Sequence, residues 1–307
     1  MSQTEATLIA KPAGRITDRP ADDRAAHAVD DGQSEHEQEL VIRPRPGWIA
    51  IDWQEIWSHR ELLAFLVWRD ISVRYKQTVL GVAWAVVQPV MMMTIFSLIF
   101  GKFARFDSDG FPYPVFVFAG LIPWTLFSQG MSQSALSLVN QQHLLTKVYF
   151  PRLFVPVAAA MVFLVDLLIS LGLYAVVLLY YGVRPSWGVV WLPPLTVLTL
   201  VATLGLGLML ASLTVFYRDF KHLVPFLVQI LMYLTPVIYP LKYVGPRWQL
   251  ILSLNPMFGI VVAYRSAILG SAWNVPCLAI STASAVGLFT LSLFYFRKTE
   301  RRFADFA

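Results

Sequence analysis

Residues 189–216 read VVWLPPLTVLTLVATLGLGLMLASLTVF and contain no charged side chain. A helix that crosses hydrocarbon about 30 Å thick needs roughly 20 apolar residues at about 1.5 Å each, so this stretch is long enough to span a bilayer. Five more apolar stretches lie near 79–101, 114–138, 153–182, 223–240 and 275–296, of which 223–240 is slightly short. The six contain one acid, Asp166, and no Lys or Arg. The sequence therefore predicts an all-α integral membrane protein with six transmembrane helices.

The composition agrees with this fold class and excludes several functions. Charged residues make up 14% of the chain and hydrophobic residues 57%, whereas soluble domains contain about 25% charged residues. The net charge of +5 is explained by Lys and Arg beside membrane helices. The sequence has no basic patch interleaved with aromatic residues away from those helices, so nucleic-acid binding is not predicted. No P-loop, H-E-x-x-H, C-x-x-C or G-x-S-x-G motif is present, and Cys277 is the single cysteine. The sequence thus predicts neither an enzyme nor a metal or cofactor site in this chain.

The chain before the first span has two parts. Residues 1–45 lack apolar periodicity and the apolar core of a signal peptide, which predicts a disordered cytoplasmic arm. Residues 46–78 predict an amphipathic helix that is capped by Asp52 and Glu55. Its tryptophans and basic residues are typical of a helix in the lipid headgroup layer, although a cytosolic helix packed on a partner has similar features.

The distribution of charge predicts the topology. With six spans in residues 79–296, the flanks on one side carry twelve Lys and Arg residues against six on the other. Basic residues are enriched on the cytoplasmic side, so we expect the N-terminus and the tail 297–307 to be cytoplasmic.

Residues 241–270 follow a different pattern. Pro236 and Pro240 end the fifth span, and Asn255-Pro256 provides a turn between two apolar segments too short to cross. We expect a re-entrant helical hairpin in the outer leaflet that gates an exit. Arg265, in the second segment, is expected to face that polar exit because a charge in lipid is costly.

Two cytoplasmic loops and a set of aromatic and amide side chains are candidates for function. The loops 140–152 and 217–222 are either simple turns with positive-inside charges or docking surfaces. The aromatics can be an interfacial belt, or they can stack on sugars while glutamines bind hydroxyls. The residues predicted to line such a path are Trp84, Gln88, Trp124, Phe127, Gln129, Tyr233 and Tyr239.

Asp166 is costly at membrane depth and should face protein or water, or be protonated. A proton relay would need further titratable groups in the spans, and a structural hydrogen bond or the wetting of a tunnel is favoured instead.

Several motifs resemble a known family. RDISVRYKQTVLGVAWAVVQPVMMM (69–93), AGLIPWTLFSQG (119–130), HLLTKVYFPRLFVP (143–156), YRDF (217–220) and TPVIYP (235–240) occur in the order found in permease subunits of ABC-2-type polysaccharide exporters. Those exporters move O-antigen, capsule or teichoic acid, and the resemblance covers roughly 50–305.

The resemblance implies the cellular setting of this chain. It implies a homodimer in the bacterial inner membrane with two copies of a separate ATPase, which binds ATP and Mg, and a polysaccharide on a lipid pyrophosphate as the substrate. Capsule or teichoic-acid export is the alternative within the family, and a proton-driven flippase or a drug-export permease is a more distant one.

The resemblance also implies roles for particular residues. A coupling helix is expected over Asn140–Phe150. The residues themselves add a further hypothesis, in which tryptophans anchor the N-terminal helix at the cytoplasmic leaflet and its basic residues attract a lipid pyrophosphate. The residues assigned to ATPase coupling are Asn140, His143, Leu144, Leu145, Lys147, Tyr149, Tyr217, Arg218 and Asp219. Those assigned to the headgroup are Arg60, Arg69, Arg74 and Lys76.

Overall fold

The computed structural model describes residues 57–76, 81–141 and 150–300, and within these ranges the chain is all-helical. The α-helices in the described ranges are α1 (Arg60–Lys76), α2 (Gly81–Phe96), α3 (Tyr113–Asn140), α4 (Phe154–Met161), α5 (Phe163–Tyr180), α6 (Leu192–Phe216), α7 (Phe220–Leu234), α8 (Pro246–Leu252), α9 (Pro256–Leu269) and α10 (Val275–Glu300). A π-helical turn, Ser97–Phe103, continues α2, and short 3-10 turns cover Trp187–Trp191 and Leu241–Tyr243.

The predicted spans agree with these helices except near the fifth. Five helical stretches in the described ranges are long and apolar enough to cross a membrane: 83–103, 113–140, 154–180, 187–216 and 275–300. The predicted span 223–240 corresponds to α7, which has 15 residues and ends at Leu234. Helices α8 and α9 meet at an angle of 114°, as a broken span or a re-entrant pair would. The described residues therefore contain five candidate spans, or six if the bent pair crosses as one.

Helix α3 is the centre of the bundle. It contacts α4, α5, α6, α9, α2 and α7. Of its most apolar 18-residue window, 83% is buried, and Phe116, Phe118, Phe127 and Met131 lie fully inside. The corresponding window of the first span is only 6% buried. Helix α2 therefore lies at the edge of the bundle, where its apolar surface must meet lipid or another protein chain.

Small residues let the helices approach closely, as is usual where lipid supplies no hydrophobic drive for helix association. A Cβ atom on Gly207 of α6 would lie 2.7 Å from the Ser134 hydroxyl of α3. A Cβ atom on Gly259 of α9 would lie 2.5 Å from the carbonyl oxygen of Cys277 on α10. The Ser281 hydroxyl also accepts from the backbone N–H of Gly259 (2.9 Å). These glycines set the spacing of the helices they join.

Hydroxyl groups inside the apolar helix α6 bond to their own helix. Thr199, Thr203, Ser212 and Thr214 are buried, and each donates to the carbonyl four residues earlier over 2.7–3.0 Å. These bonds remove the cost of an unpaired polar group at membrane depth.

The helix predicted before the first span is present, but the predicted cap at Asp52 lies outside the described residues. Helix α1 packs on α4 and α2. It buries Leu66 and exposes large apolar side chains, including Phe65, Trp68 and Val73. That pattern suits contact with lipid, and the location of α1 in the headgroup layer stays a prediction.

Gly259→Ala should lower the stability of the folded chain, because its methyl group would clash with the backbone of α10 and overpacking typically costs about 1–3 kcal/mol. Gly287→Ala on α10 is the matched control, since a Cβ there meets nothing within 4 Å. Helix propensity alone should make that variant about 0.5–1 kcal/mol more stable. Thermal unfolding in detergent, followed by gel filtration with fluorescence detection, measures both variants. Equal stability of the two would show that α9 and α10 do not pack as described.

Candidate functional site

The acidic side chain inside the third span is held by two residues of α1. Asp166 lies in the first turn of α5, where its Oδ2 atom accepts a hydrogen bond from Nη2 of Arg74 over 2.7 Å. The Tyr75 hydroxyl donates to the other carboxylate oxygen. The Arg74 guanidinium also lies over the Phe163 ring, 4.4 Å from its centroid. The hydrogen bonding expected for Asp166 is therefore present, and its partners fix α1 against α5.

Tyr75 acts as a neutral donor in this cluster. Burial, with a further contribution from the hydrogen bond to the Asp166 anion, raises the pKa of the Tyr75 phenol to about 12. The phenol therefore keeps its proton at neutral pH.

A pocket opens beside this cluster. It has a volume of about 200 Å³ and lies where α1, α2 and α5 meet; we call it the first-span pocket. Its lining residues are Arg74, Tyr75, Trp84, Ala85, Gln88, Pro89, Asp166 and Ser170. The structure thus brings together a predicted headgroup residue, Arg74, and two predicted path residues, Trp84 and Gln88.

A second pocket, of about 230 Å³, lies on the other side of Arg74, and we call it the second-span pocket. Its polar lining groups are Asp70, Arg74, Gln133, Ser137, Asn140 and Gln141. Arg74 is the residue shared by the two pockets, and its side chain is partly exposed.

The other predicted headgroup residues are placed differently. Arg69 donates to Asp70 and, over 2.8 Å, to the side-chain oxygen of Gln141. The Arg60 guanidinium lies 5.2 Å from the centroid of the Trp57 ring, and Lys76 is exposed. Of the four, Arg74 is the one that lines the two pockets.

The predicted path residues separate into two groups. Trp124 and Phe127 are buried in α3, with ring centroids 5.5 Å apart, and Gln129 is half-buried beside them. Trp84, Gln88 and Tyr233 are exposed on α2 and α7. Tyr239 is half-buried and donates to the Tyr233 carbonyl over 3.2 Å. Trp124 and Phe127 are therefore part of the packing inside one chain, whereas the exposed group can line a passage.

The five predicted gate residues lie at one junction. Pro236 and Pro240 fall in the non-helical segment after α7, and Asn255 caps α9, whose first residue is Pro256. The Asn255 side chain accepts from the Met257 N–H (3.1 Å) and donates to the Thr235 hydroxyl (2.8 Å). One capping residue thus ties the end of α7 to the start of α9.

Arg265 is the centre of this junction. Its side chain is buried, at 6% exposure, and donates to the carbonyl oxygens of Pro236, Val237 and Tyr239 and, over 3.2 Å, to that of Phe116. The guanidinium carbon lies 3.7 Å from the centroid of the Phe116 ring. In the described chain Arg265 is therefore directed at backbone carbonyls released by the break after α7, rather than at solvent.

The residues assigned to ATPase coupling are partly described. Asn140 is the last residue of α3, and His143, Leu144, Leu145, Lys147 and Tyr149 lie outside the described residues. Tyr217, Arg218 and Asp219 are exposed between α6 and α7. Beside them an open hollow of about 420 Å³ is lined by Asp219, Phe220, His222, Leu223 and Phe226. The predicted second loop therefore presents an apolar hollow with charge at its edge.

Tyr75, Asp70 and Ser170 belong to the two pockets and were not predicted from the sequence. Tyr75 directly follows Arg74, but no sequence pattern connects either residue with Asp166, some 92 positions away from Arg74. That contact depends on how α1 folds back onto α5.

Comparison with known proteins identifies the class of this chain. Residues 61–269 match the family described as ABC-2 type transporter, and the chain belongs to this family. The resemblance inferred from the sequence motifs is thereby confirmed.

Relatives within the family are named for polysaccharide export. The chain is 32% identical over 251 residues to the O-antigen export system permease protein RfbA of Myxococcus xanthus, covering 80% of this chain and 96% of the relative. It is 27% identical over 246 residues to the protein of the same name from Klebsiella pneumoniae, covering 80% and 94%. It is 24% identical over 205 residues to the polysialic acid transport protein KpsM of Escherichia coli, covering 66% and 78%.

Arg265→Gln should destabilise the chain by about 3 kcal/mol or more, because several buried carbonyl groups lose a charged donor. Arg265→Lys should lower the free energy of unfolding less than Arg265→Gln does, because lysine keeps the positive charge. It should still be less stable than the wild type, because lysine lacks the planar guanidinium that bonds several carbonyls at once. Arg247→Gln, at an exposed position on α8, is the charge-matched control and should be neutral. Thermal unfolding in detergent gives the order. Unchanged stability of Arg265→Gln would mean that the guanidinium does not hold the junction.

Proposed function

We propose that this chain is the membrane permease subunit of an ATP-driven exporter that moves a lipid-linked polysaccharide from the cytoplasm across the inner membrane. The similarity to an O-antigen export permease over nearly all of that relative carries the proposal. Capsule export is the second candidate, and the similarity to KpsM favours it. Both functions require the same permease architecture.

The energy source is proposed to be a separate ATPase, present in two copies with a permease homodimer. The sequence has no P-loop whose backbone and lysine could hold ATP phosphates. The apolar hollow beside Asp219 is a candidate contact for that ATPase, together with the predicted coupling helix over Asn140–Phe150. At the end of the loop 140–152, the Arg152 guanidinium donates to the carbonyl of Glu300, the last residue of α10, over 2.9 Å. A movement of this loop that is driven by the ATPase would therefore be transmitted directly to the end of α10.

A proton-driven mechanism has less support. Asp166 is the acid predicted within the spans, and its two oxygens accept from Arg74 and Tyr75. A relay group must exchange its proton along a chain of titratable neighbours, and a carboxylate held by a guanidinium favours a positioning role instead.

The polysaccharide path is proposed to run along the exposed faces of α2 and α7. Trp84 and Gln88 are exposed on α2, and Gln229 and Tyr233 are exposed one turn apart on α7. Aromatic rings can stack on sugar rings, while amides bond to hydroxyl groups. Both helices pack on α3 and keep these faces outward, so a second permease copy could close a passage between them.

The bent pair α8 and α9 is proposed to be a re-entrant hairpin on the outer side, with both chain termini in the cytoplasm. Helix α9 is buried along its whole length, which supplies the protein surroundings that a hairpin in the membrane needs. Helix α8 is largely exposed, with Trp248 and Ile251 open to the surroundings.

Deleting the gene for this chain should abolish the surface polysaccharide of the cell, while lipid-linked polysaccharide accumulates inside, because synthesis continues and export stops. Immunodetection on intact and on permeabilised cells separates the two pools. Export should return with the wild-type chain and its ATPase, and should fail when the ATPase lacks its P-loop lysine. A normal polysaccharide coat on the deletion strain would refute the proposed function.

Cysteines at Trp248 and Leu254, which are exposed, should react with an impermeant thiol reagent added outside intact cells. The background is Cys277→Ala, and a cysteine at Lys221 serves as the cytoplasmic control that should react only after permeabilisation. If the two hairpin cysteines also react only after permeabilisation, this segment lies on the cytoplasmic side, and both the outer hairpin and the proposed order of the spans are wrong.

A further inference from the structure

The ion pair between Arg74 and Asp166 is held at an open position. Arg74 retains 36% of its side-chain exposure and Asp166 retains 18%. A fully buried ion pair stabilises a fold only when its geometry and its other hydrogen bonds offset the desolvation of both charges. The Arg74–Asp166 pair is partly exposed instead, and Arg74 lines both the first-span and the second-span pocket.

The groups around Arg74 are suited to an oxyanion. Gln88 and Ser170 line the first-span pocket, and Gln133 and Asn140 line the second. The second pocket also contains Ser137, whose hydroxyl donates to the Ser134 carbonyl, and Asp70, whose carboxylate is bonded to Arg69. Amides and hydroxyls donate hydrogen bonds without adding a competing positive or negative charge. The planar guanidinium is the side chain best matched to a phosphate group, which it can bind through two parallel hydrogen bonds.

Asp166 keeps a partner if Arg74 turns away. The Tyr75 hydroxyl donates to Oδ1 of the carboxylate, whereas Arg74 binds Oδ2. Loss of the guanidinium would therefore leave the carboxylate hydrogen-bonded, and the cost of exchanging the partner of Arg74 is reduced. Of these two consecutive residues of α1, Arg74 can therefore bind a new anion while Tyr75 stays bonded to Asp166.

The surroundings of the first-span pocket favour a lipid as the carrier of the phosphate. Trp84, which lines the pocket, is exposed, as are Val87, Met91 and Ile95, which follow it at three-to-four-residue spacing along the same face of α2. An amphiphile can lie along this apolar surface with its headgroup at Arg74.

We propose that Arg74 is an exchangeable anion-binding residue, at which the phosphate headgroup of the lipid-linked substrate displaces Asp166 while Tyr75 keeps the released carboxylate bonded. The inference rests on the proposed function, since it assigns a place to the headgroup of that substrate. Two anions then face each other across the pocket, and their repulsion would loosen the contact between α1 and α5. Binding of the headgroup would thereby move α1 relative to α5.

The test is equilibrium binding of radiolabelled farnesyl pyrophosphate to the full-length chain in phosphatidylcholine nanodiscs. Binding should be saturable, and inorganic pyrophosphate and farnesol should each compete far less well than unlabelled farnesyl pyrophosphate. If inorganic pyrophosphate competes equally, the site takes free phosphate and the lipid assignment is wrong. If nanodiscs of phosphatidylglycerol abolish binding, the site takes an ordinary anionic phospholipid, which also overturns the assignment to the substrate.

Two variants should change the affinity in opposite directions. Arg74→Gln should weaken binding roughly tenfold or more, because a charged hydrogen-bond donor is lost. Asp166→Asn should tighten binding several-fold, since the competing anion is removed while the amide oxygen still accepts from Tyr75. Arg184→Gln, which removes one charge in an exposed loop, should leave the affinity unchanged. Because misfolding cannot tighten binding, the Asp166→Asn result decides between exchange and a purely structural pair. Weakened or unchanged binding by Asp166→Asn overturns the proposal.

The result of the binding experiment can be distinguished from the result of the export experiment. If the wild-type chain restores surface polysaccharide to the deletion strain but Asp166→Asn does not tighten binding, the exchange is wrong and the proposed function stands. If Asp166→Asn tightens binding but the deletion strain keeps its surface polysaccharide, the anion site stands and the assignment of its ligand to an exported polysaccharide fails.

Discussion

Hydrocarbon supplies no hydrogen-bond partner, so every polar group at membrane depth must be satisfied within the protein. This constraint explains two sets of polar contacts in the described residues. The buried hydroxyls of α6 bond to carbonyls one turn earlier in their own helix. The break after α7 releases carbonyls that have no helical partner, and Arg265 reaches across from α9 to bind them. An irregular segment is possible here because a buried cation replaces the missing backbone donors.

Arg265 and Arg74 meet the same constraint in different ways, and the difference separates structure from function. Arg265 is bound to backbone carbonyls, which cannot leave without unfolding the junction, and it is almost fully buried. Arg74 is bound to a side chain, and a side chain can rotate away. It also lies between two open pockets. A cation on a fixed partner holds a fold, whereas a cation on a mobile partner beside open space can exchange one anion for another.

The sequence predicts the parts of this molecule that depend on local pattern. Hydropathy locates the spans, and the prolines at 236 and 240 and the Asn255-Pro256 turn locate the broken region, because each acts through its own backbone. The sequence does not predict contacts between segments that are distant along the chain. The partners of Asp166 come from α1, and Trp124 and Phe127 proved to be buried, since composition does not show that α3 is surrounded by the other helices. The limits of α7 also differ, because Arg265 stabilises a non-helical segment that hydropathy alone would extend as helix.

The uneven burial of the spans has a consequence for the Arg74 site. Helix α3 is surrounded by its own chain, whereas only 6% of the most apolar window of the first span is buried. The first-span pocket is formed partly by this uncovered helix, through Trp84 and Gln88. Whatever covers α2, whether lipid or a second permease, therefore also sets access to Arg74. A charged pair at such an edge can respond to a ligand that arrives along the membrane, which the same pair inside the bundle around α3 could not do.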